Sequence, residues 1–143
     1  MKENIGFNEI EIGMPLGVRE IDVTKEAVDF YMEKSLWDSE NFAEQETFAP
    51  PGIFNSDHVR MLTAALGGAG DRIWAKSNHQ YIKPIRIGAK LKKTGNIADK
   101  YIKRGKQYLV YEVETRDENG NLIIKSRETS FFGPVGEGGK NES

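Results

Sequence analysis

Histidine is the side chain best suited to proton transfer near neutral pH, and the sequence contains two, His58 and His79. His58 begins a predicted helix, with Leu62 and Ala65 four and seven positions further on, so we expect it to face inward. The adjacent Asp57 is not expected to orient it, because neighbouring helical residues point about 100° apart. His58 is therefore the better candidate base, and a structural histidine at a helix end is the alternative interpretation.

His79 lies on a predicted strand and shares one face with Ser77 and Tyr81. A packed histidine of the protein core is the expected role there, and a ligand-binding one is the alternative. The chain has no cysteine, and neither histidine has a metal-binding spacing to acidic residues. We predict no metal site and no cofactor.

Two helices and several strands are predicted to position these residues. Thr24 can cap a first helix that runs to about Leu36, and a second helix begins at Ser56 or Asp57 and ends at Gly67-Gly68. Short extended segments are expected at Glu9 to Ile12 and Val18 to Val23, separated by a break at residues 13–17, and an aperiodic loop at Trp37 to Asn55. Four longer strands are expected at Ile73 to Pro84, Lys90 to Ile102, Gln107 to Arg116 and Asn121 to Phe132.

The second helix is the strongly apolar one, with Val59, Leu62, Ala65 and Leu66 predicted to point inward. An α+β fold follows, in which an antiparallel sheet wraps around this helix. At 143 residues the chain fits one domain, which we place at residues 1–133, followed by a polar, Gly-rich tail at 134–143 that we expect to be disordered. Without an apolar leader or membrane helix, we expect a cytoplasmic protein.

Basic residues are concentrated between Lys83 and Lys106, where Asp99 is the single acid. Solvated strands whose lysines discourage aggregation are one interpretation. A surface for the phosphates of coenzyme A or for an acidic carrier protein is the other, and Arg86 belongs to it. Nucleic acid is not expected, because this basic region has few aromatic residues that could stack on bases, namely Tyr101 and, two residues after its end, Tyr108.

Several segments together resemble the MaoC-like hydratase/dehydratase family. The run from Tyr81 to Gly88, the turns at residues 103–105 and 117–120, and the entry segment from Phe48 to Phe54 follow that family's order. The resemblance covers about residues 8 to 133 and implies a hotdog fold of the FAS-like dehydratase branch. It also implies an acyl thioester of coenzyme A or a carrier protein as substrate, and hydration or dehydration of its α,β bond.

The resemblance implies catalysis by an Asp/His pair from an Asp-x-Asn-Pro-x-His motif. The segment Asp38-Ser39-Glu40-Asn41-Phe42-Ala43-Glu44 departs from it, with one residue too many between Asp38 and Asn41 and glutamate in place of histidine. Asp38 and Asn41 are thus candidate catalytic remnants or ordinary loop residues, and Glu44 could replace the histidine only with a raised pKa. His58 is the alternative base.

The resemblance places the thioester carbonyl at backbone amides that precede the central helix. Gly52 matches the glycine of that entry, whereas Pro51 has no N–H to give. The expected substrate-binding residues are Gly52, Ile53, Phe54, His79 and Arg86.

The sequence leads to four hypotheses for function. The first is the substrate-binding subunit of a hydratase/dehydratase pair in fatty acid metabolism, whose partner carries the intact Asp/His pair. The others are a self-sufficient homodimeric hydratase that uses His58, an acyl-CoA thioesterase, and a thioester-binding module without catalysis. All four predict a homodimer or a heterodimer with a second hotdog subunit, because a single sheet exposes an edge. Acyl chain length and pathway stay open.

Overall fold

The structure of the protein is a computed structural model, which describes residues 6–34, 48–50, 52–67 and 73–134. A 3-10 turn at Phe7–Glu9 comes first. The helices and strands that follow are β1 (Pro15–Asp22), α1 (Lys25–Lys34), β2 (Phe48–Ala49), α2 (Asp57–Leu66), β3 (Ile73–Tyr81), β4 (Ile85–Arg86), β5 (Lys90–Lys103), β6 (Lys106–Arg116) and β7 (Leu122–Pro134).

The main sheet is antiparallel and has five strands in the order β1-β5-β6-β7-β3. β6 lies at its centre and alternates as its sequence predicts, because Leu109, Tyr111 and Val113 are buried while Glu112 and Glu114 are half-buried on the opposite face. A turn joins β6 to β7 where Gly120 adopts a φ of 84°. β2 and β4 form a separate two-stranded sheet.

Helix α2 packs against the sheet through one apolar face. Met61, Leu62, Ala65 and Leu66 are buried and share a hydrophobic cluster with the inward side chains of β6. Each buried leucine contributes about 2 kcal/mol by leaving water, so this contact fixes the helix on the sheet. The predicted α+β hotdog fold, with an antiparallel sheet around a central helix, is confirmed.

A second apolar cluster joins the small sheet to the large one. Ile53, which precedes α2, packs with Ile85 of β4, Leu91 of β5 and Ile123 of β7. Helix α1 adds Val28 to the same cluster. The segment that enters α2 is therefore held by tertiary packing.

Three local predictions at the start of the chain can be compared with the structure. The predicted strand at Glu9 to Ile12 is wrong, because the Glu9 carboxylate accepts the Gly6 amide at 3.0 Å and closes the 3-10 turn. The predicted break at residues 13–17 is too long, since β1 already begins at Pro15, which can start a strand because its ring needs no N–H partner there. The Thr24 cap is confirmed, with the Ala27 amide 3.0 Å from its hydroxyl.

Two predictions around the helices also need correction. Val59 does not point inward but is 44% exposed, because Met61 occupies the buried face instead. The loop predicted from Trp37 to Asn55 contains β2, and the strand predicted from Ile73 to Pro84 ends at Tyr81 before β4. Residues 35–47 and 135–143 lie outside the described residues, so the 1–133 domain and its tail stay predictions.

Candidate functional site

Helix α2 carries His58 into the space between the helix and the sheet. His58 lies in the first turn of α2 and is fully buried, as its sequence position predicts. Asp57 points elsewhere and pairs with Arg19 of β1, whose Nε is 3.1 Å from Asp57 Oδ1. The expectation that Asp57 does not orient His58 is therefore confirmed.

Both ring nitrogens of His58 are hydrogen-bonded. Nδ1 contacts a carboxylate oxygen of Glu128 on β7, and Nε2 lies 2.8 Å from Nζ of Lys93 on β5. A carboxylate can only accept and an ammonium can only donate, so Nδ1 carries the proton and Nε2 accepts from Lys93. His58 is neutral in this arrangement, between one cation and one anion.

Burial dominates the electrostatics of this cluster. It lowers the pKa of His58 below the ordinary 6.5, although the hydrogen bond that His58 donates to Glu128 opposes the shift. Burial also lowers the pKa of Lys93 to about 8, with Asp57 and Glu128 opposing it. Lys93 gives a further hydrogen bond to Thr115 Oγ1 at 3.0 Å, which helps to replace lost hydration.

The geometry leaves His58 little freedom to act as a general base. A base needs a free lone pair within hydrogen-bond reach of its substrate. The Nε2 lone pair of His58 is taken by Lys93, and the ring has no exposed surface. Within the described residues, the hydrogen bonds of His58 to Lys93 and Glu128 connect α2 to β5 and β7.

His79 occupies the neighbouring position on β3 and is half-buried. Its Nδ1 and Nε2 each lie 2.6 Å from a serine hydroxyl, of Ser126 and Ser77 respectively, and its ring centroid is 5.8 Å from that of His58. Burial lowers the pKa of His79 as well, which favours the neutral imidazole. The predicted shared face of Ser77 and His79 is confirmed.

The entry to α2 is a series of tight turns. The Ile53 amide donates to the Pro50 carbonyl at 3.1 Å, and the Asn55 amide donates to the Gly52 carbonyl at 3.2 Å. No described residue accepts a hydrogen bond from the Gly52 amide. Of the expected trio, Gly52 has an amide without a described acceptor, Ile53 is buried with its amide bonded to Pro50, and Phe54 is half-buried in the second apolar cluster.

A side-chain hydrogen bond closes over this entry segment. Asn55 Nδ2 donates to the Tyr81 hydroxyl at 3.0 Å and links the α2 entry to the end of β3. A Cβ added at Gly52 would lie 3.5 Å from the same Asn55 nitrogen and 3.7 Å from the Tyr31 hydroxyl. Gly52, Asn55 and Tyr81 therefore lie close together, and we call this group of residues the entry notch.

Arg86 lies on β4, where its guanidinium carbon is 5.9 Å from the ring centroid of Phe48. Both residues line a shallow pocket of about 260 Å³. Lys83 lines this pocket too and also a neighbouring pocket of about 140 Å³ beside Tyr81. Asp117 and Glu118 add negative charge at the rim, so the surface is mixed in sign.

For one residue of the basic stretch, Lys93, the prediction from sequence is wrong. Lys93 belongs to the run expected to lie in solvent or on an anion-binding surface, yet it is fully buried. Its position two residues after Leu91 on an alternating strand could have revealed this, because both face inward. Glu128 is similar, since it follows buried Ile124 and Ser126 at alternate positions of β7.

Asp38 and Asn41 lie outside the described residues, as does Glu44, so the altered motif has no described geometry. Among the residues that are described, no three His, Asp or Glu side chains group as metal ligands would. The described helices are all too short or too polar to cross a membrane. Reasoning from sequence did not find Lys93, Glu128 or Asn55.

Several solved structures share this arrangement of helices and strands. The chain superimposes on a monoamine oxidase regulatory protein from Archaeoglobus with a TM-score of 0.76 and 15% identity, over 92% of this chain and 95% of that one. It superimposes on the MaoC-like dehydratase from Rhodospirillum rubrum with a TM-score of 0.69 and 12% identity, over 92% and 98%.

A third neighbour is the HadBC (3R-hydroxyacyl-ACP dehydratase) complex from Mycobacterium tuberculosis, with a TM-score of 0.66 and 16% identity over 84% of this chain and 96% of that one. R-hydratases and a hot-dog-like protein also match. No protein-family model matches the chain, and no curated protein matches it in sequence. The likeness shows that the chain has the hotdog fold, in the form shared by MaoC-like dehydratases and R-hydratases.

Proposed function

We propose that this chain is a MaoC-like hydratase/dehydratase protein and serves as the substrate-binding subunit of an unlike pair. It holds an acyl thioester of coenzyme A or a carrier protein, while the partner supplies the Asp/His pair. The chain forms a single hotdog domain over residues 1–133 and works in the cytoplasm on fatty acyl groups.

The state of His58 carries this proposal. Adding or removing water across an α,β bond needs a base with an available lone pair. This chain has glutamate where the usual motif has its histidine, and His58, the alternative base, is buried between Lys93 and Glu128. A chain with this fold and a base held in that way is better suited to bind the substrate than to move its proton.

Features for substrate binding lie along one side of the molecule. The Gly52 amide has no described acceptor, and the pockets beside Tyr81 and Arg86 adjoin each other at Lys83 and Pro84. A thioester carbonyl at the entry notch would direct the rest of its carrier along these pockets. Arg86, which has no described carboxylate partner, would meet the phosphates.

The partner is proposed to be a second hotdog subunit. β1 and β3 are the edge strands of the described sheet, and an edge strand presents unpaired backbone groups that another chain can bind. The HadBC structure, which contains a chain similar to this one, is of a complex. His79 and Tyr81 of the entry notch both lie on β3, so a subunit that pairs there would also approach the site.

The remaining hypotheses need more than the described residues provide. A self-sufficient hydratase that uses His58 requires Lys93 to leave Nε2 and solvent to enter a closed core. A thioesterase requires a carboxylate that can activate water beside the substrate, and buried Glu128 is bound to His58. A binding module without catalysis shares every binding feature and differs from the main proposal in its lack of a catalytic partner.

Coexpression with a hotdog chain that carries an intact Asp-x-Asn-Pro-x-His motif tests the proposal. Hydration of crotonyl-CoA is measured for each chain alone and for the purified complex. We expect turnover from the complex and none from this chain alone, while crotonyl-CoA still binds. Efficient hydration by this chain alone, retained by His58→Asn and His79→Asn variants, would contradict the division of roles. Release of free thiol instead of hydration would identify a thioesterase.

A further inference from the structure

The hydroxyl of Tyr81 has a hydrogen to donate at the entry notch. Asn55 Nδ2 can only donate, so in their 3.0 Å hydrogen bond the Tyr81 oxygen is the acceptor. The hydroxyl's own proton is then available, and no described residue accepts it. Tyr81 is 44% exposed, so a ligand at the surface can reach this proton.

Asn55 supplies a second sign that a ligand or water completes the notch. Its Oδ1 is buried and has no hydrogen-bond partner among the described residues. A buried amide oxygen without a partner costs about 1–3 kcal/mol, so such an atom is ordinarily bonded to water, to a ligand or to another part of the chain. The unpaired atom lies on the same side chain that orients Tyr81.

Gly52 lies beside the Asn55 side chain. The Cβ position of Gly52 is 3.5 Å from Asn55 Nδ2, so the glycine and the tyrosine hydroxyl are separated by one amide group. A carbonyl oxygen has two lone pairs and can accept from two donors at once. Gly52 and Tyr81 thus bring a backbone N–H and a phenol O–H close to the Asn55 amide, and neither donor has a described acceptor.

We propose that Tyr81 is a catalytic residue whose hydroxyl binds the thioester carbonyl oxygen together with the Gly52 amide, and that Asn55 is its positioning residue. This inference rests on the proposed function and extends it, because it assigns a second donor that the entry glycine alone does not supply. The two donors act when negative charge moves onto the oxygen as the β-carbon is attacked or the α-carbon is deprotonated. The pocket of about 140 Å³ beside Tyr81 leaves room for the sulfur and the first atoms of its carrier arm.

Paired ligands and a matched tyrosine test this assignment. Dissociation constants of crotonyl-CoA and of S-butyl-CoA, a thioether without a carbonyl, are measured with the full chain. Tyr81→Phe should weaken crotonyl-CoA binding about tenfold, the size of one well-oriented hydrogen bond, and leave S-butyl-CoA unchanged. Tyr101→Phe is the control, because Tyr101 is similarly exposed at 38% but stacks on Tyr108 away from the notch.

The carbonyl stretch of bound, ¹³C-labelled crotonyl-CoA provides a spectroscopic readout. Each hydrogen bond lowers this frequency, so Tyr81→Phe should reverse part of the shift seen with the unaltered chain. Asn55→Ala should do the same when Tyr81 is present and have no further effect in the Tyr81→Phe background. A structural role alone would weaken both ligands equally and leave the stretch unmoved.

The outcomes separate the two proposals. If the unaltered chain, alone and in its complex, binds no acyl thioester, both the proposed function and the role of Tyr81 are overturned. If crotonyl-CoA binds and Tyr81→Phe changes neither its affinity nor its carbonyl stretch, the role of Tyr81 alone is overturned. Tyr81 would then serve only to fix Asn55 within the chain.

Discussion

Nε2 of His58 accepts a hydrogen bond from Nζ of Lys93 at 2.8 Å, and neither side chain has exposed surface. This contact decides the character of the site. Lys93 occupies the Nε2 lone pair that a catalytic histidine would need. Its positive charge also compensates the negative charge of Glu128 on the other side of the ring. The three residues join α2, β5 and β7 in the core beside His79.

Removing both charges from this cluster should lower the free energy of unfolding by less than the two single removals added together. Lys93→Met leaves Glu128 as an uncompensated buried anion, and Glu128→Gln leaves Lys93 as a buried cation, so each should lower the free energy of unfolding by about 3 kcal/mol. The Lys93→Met/Glu128→Gln double variant should lose clearly less than the sum. Urea denaturation at fixed protein concentration measures all three. Additive losses would show that the charges do not compensate each other.

Stability should depend on pH through Lys93. Its pKa is about 8 in the folded chain and 10.5 in the unfolded chain, where water surrounds the ammonium, so between these values the unfolded state binds more protons. The free energy of unfolding should therefore rise with pH across this window, by on the order of 3 kcal/mol, and stay level below it. The difference between the unaltered chain and Lys93→Met, followed from pH 7 to about 10.5, isolates this effect. A flat difference would mean that Lys93 is solvated.

His58 should add a second dependence at lower pH. Burial holds its folded pKa below 6.5, so as the pH falls through 6.5 the unfolded chain takes up a proton that the folded chain does not. The free energy of unfolding should decrease until the pH reaches the folded pKa. Thermal unfolding between pH 7 and 5 measures the loss. If stability of the His58→Asn variant falls as steeply between pH 7 and 5 as that of the unaltered chain, the pH dependence does not come from His58.

The alternation of apolar and polar residues predicted the strands well, because it can be seen within a short segment of the sequence. The ranges of β5, β6 and β7 lie within two residues of prediction, and α2 begins at a predicted residue. The prediction of a strand at Glu9 to Ile12 was wrong because two isoleucines with this spacing occur in many conformations. The contact between the Glu9 carboxylate and the Gly6 amide stabilises the turn there instead.

The site was harder to predict because its contacts join distant parts of the chain. His58 could be placed inside from its helical spacing alone. That Lys93 and Glu128 meet it depends on the register of β5, β6 and β7, which no short segment specifies. A charged residue at an inward position of a strand was the available signal, and it was hidden within a basic run that suggested a solvated surface.

Two glycines should differ sharply in their tolerance of alanine. A Cβ at Gly95 of β5 would lie 3.0 Å from the Glu112 carbonyl oxygen and 3.3 Å from Leu16 and Val113 side-chain carbons, so Gly95→Ala should lower the free energy of unfolding by about 1–3 kcal/mol. A Cβ at Gly52 meets only ordinary contacts of 3.5 Å and 3.7 Å, so Gly52→Ala should unfold within about 1 kcal/mol of the unaltered chain. Equal stability of the two variants would contradict the close packing at Gly95.

Arg86 should distinguish between carriers of the acyl group. Its exposed guanidinium lies beside the pocket proposed for the phosphates, so Arg86→Ala should weaken crotonyl-CoA and leave crotonyl-pantetheine, which lacks phosphate, unaffected. The difference should shrink as salt is added. Lys103→Ala, which removes an exposed cation from the β5–β6 hairpin, serves as the control. Equal weakening of both ligands would assign Arg86 a packing role.

The division of roles between two subunits is tested most directly by the initial rate of crotonyl-CoA hydration in complexes that each carry one altered histidine. In one complex this chain has His58→Asn, and in the other the partner lacks its motif histidine; chromatography confirms that both assemble. We predict that the first complex retains most of its rate and that the second has none. A complex that loses its rate with His58→Asn and keeps it without the partner's histidine would show that catalysis belongs to this chain.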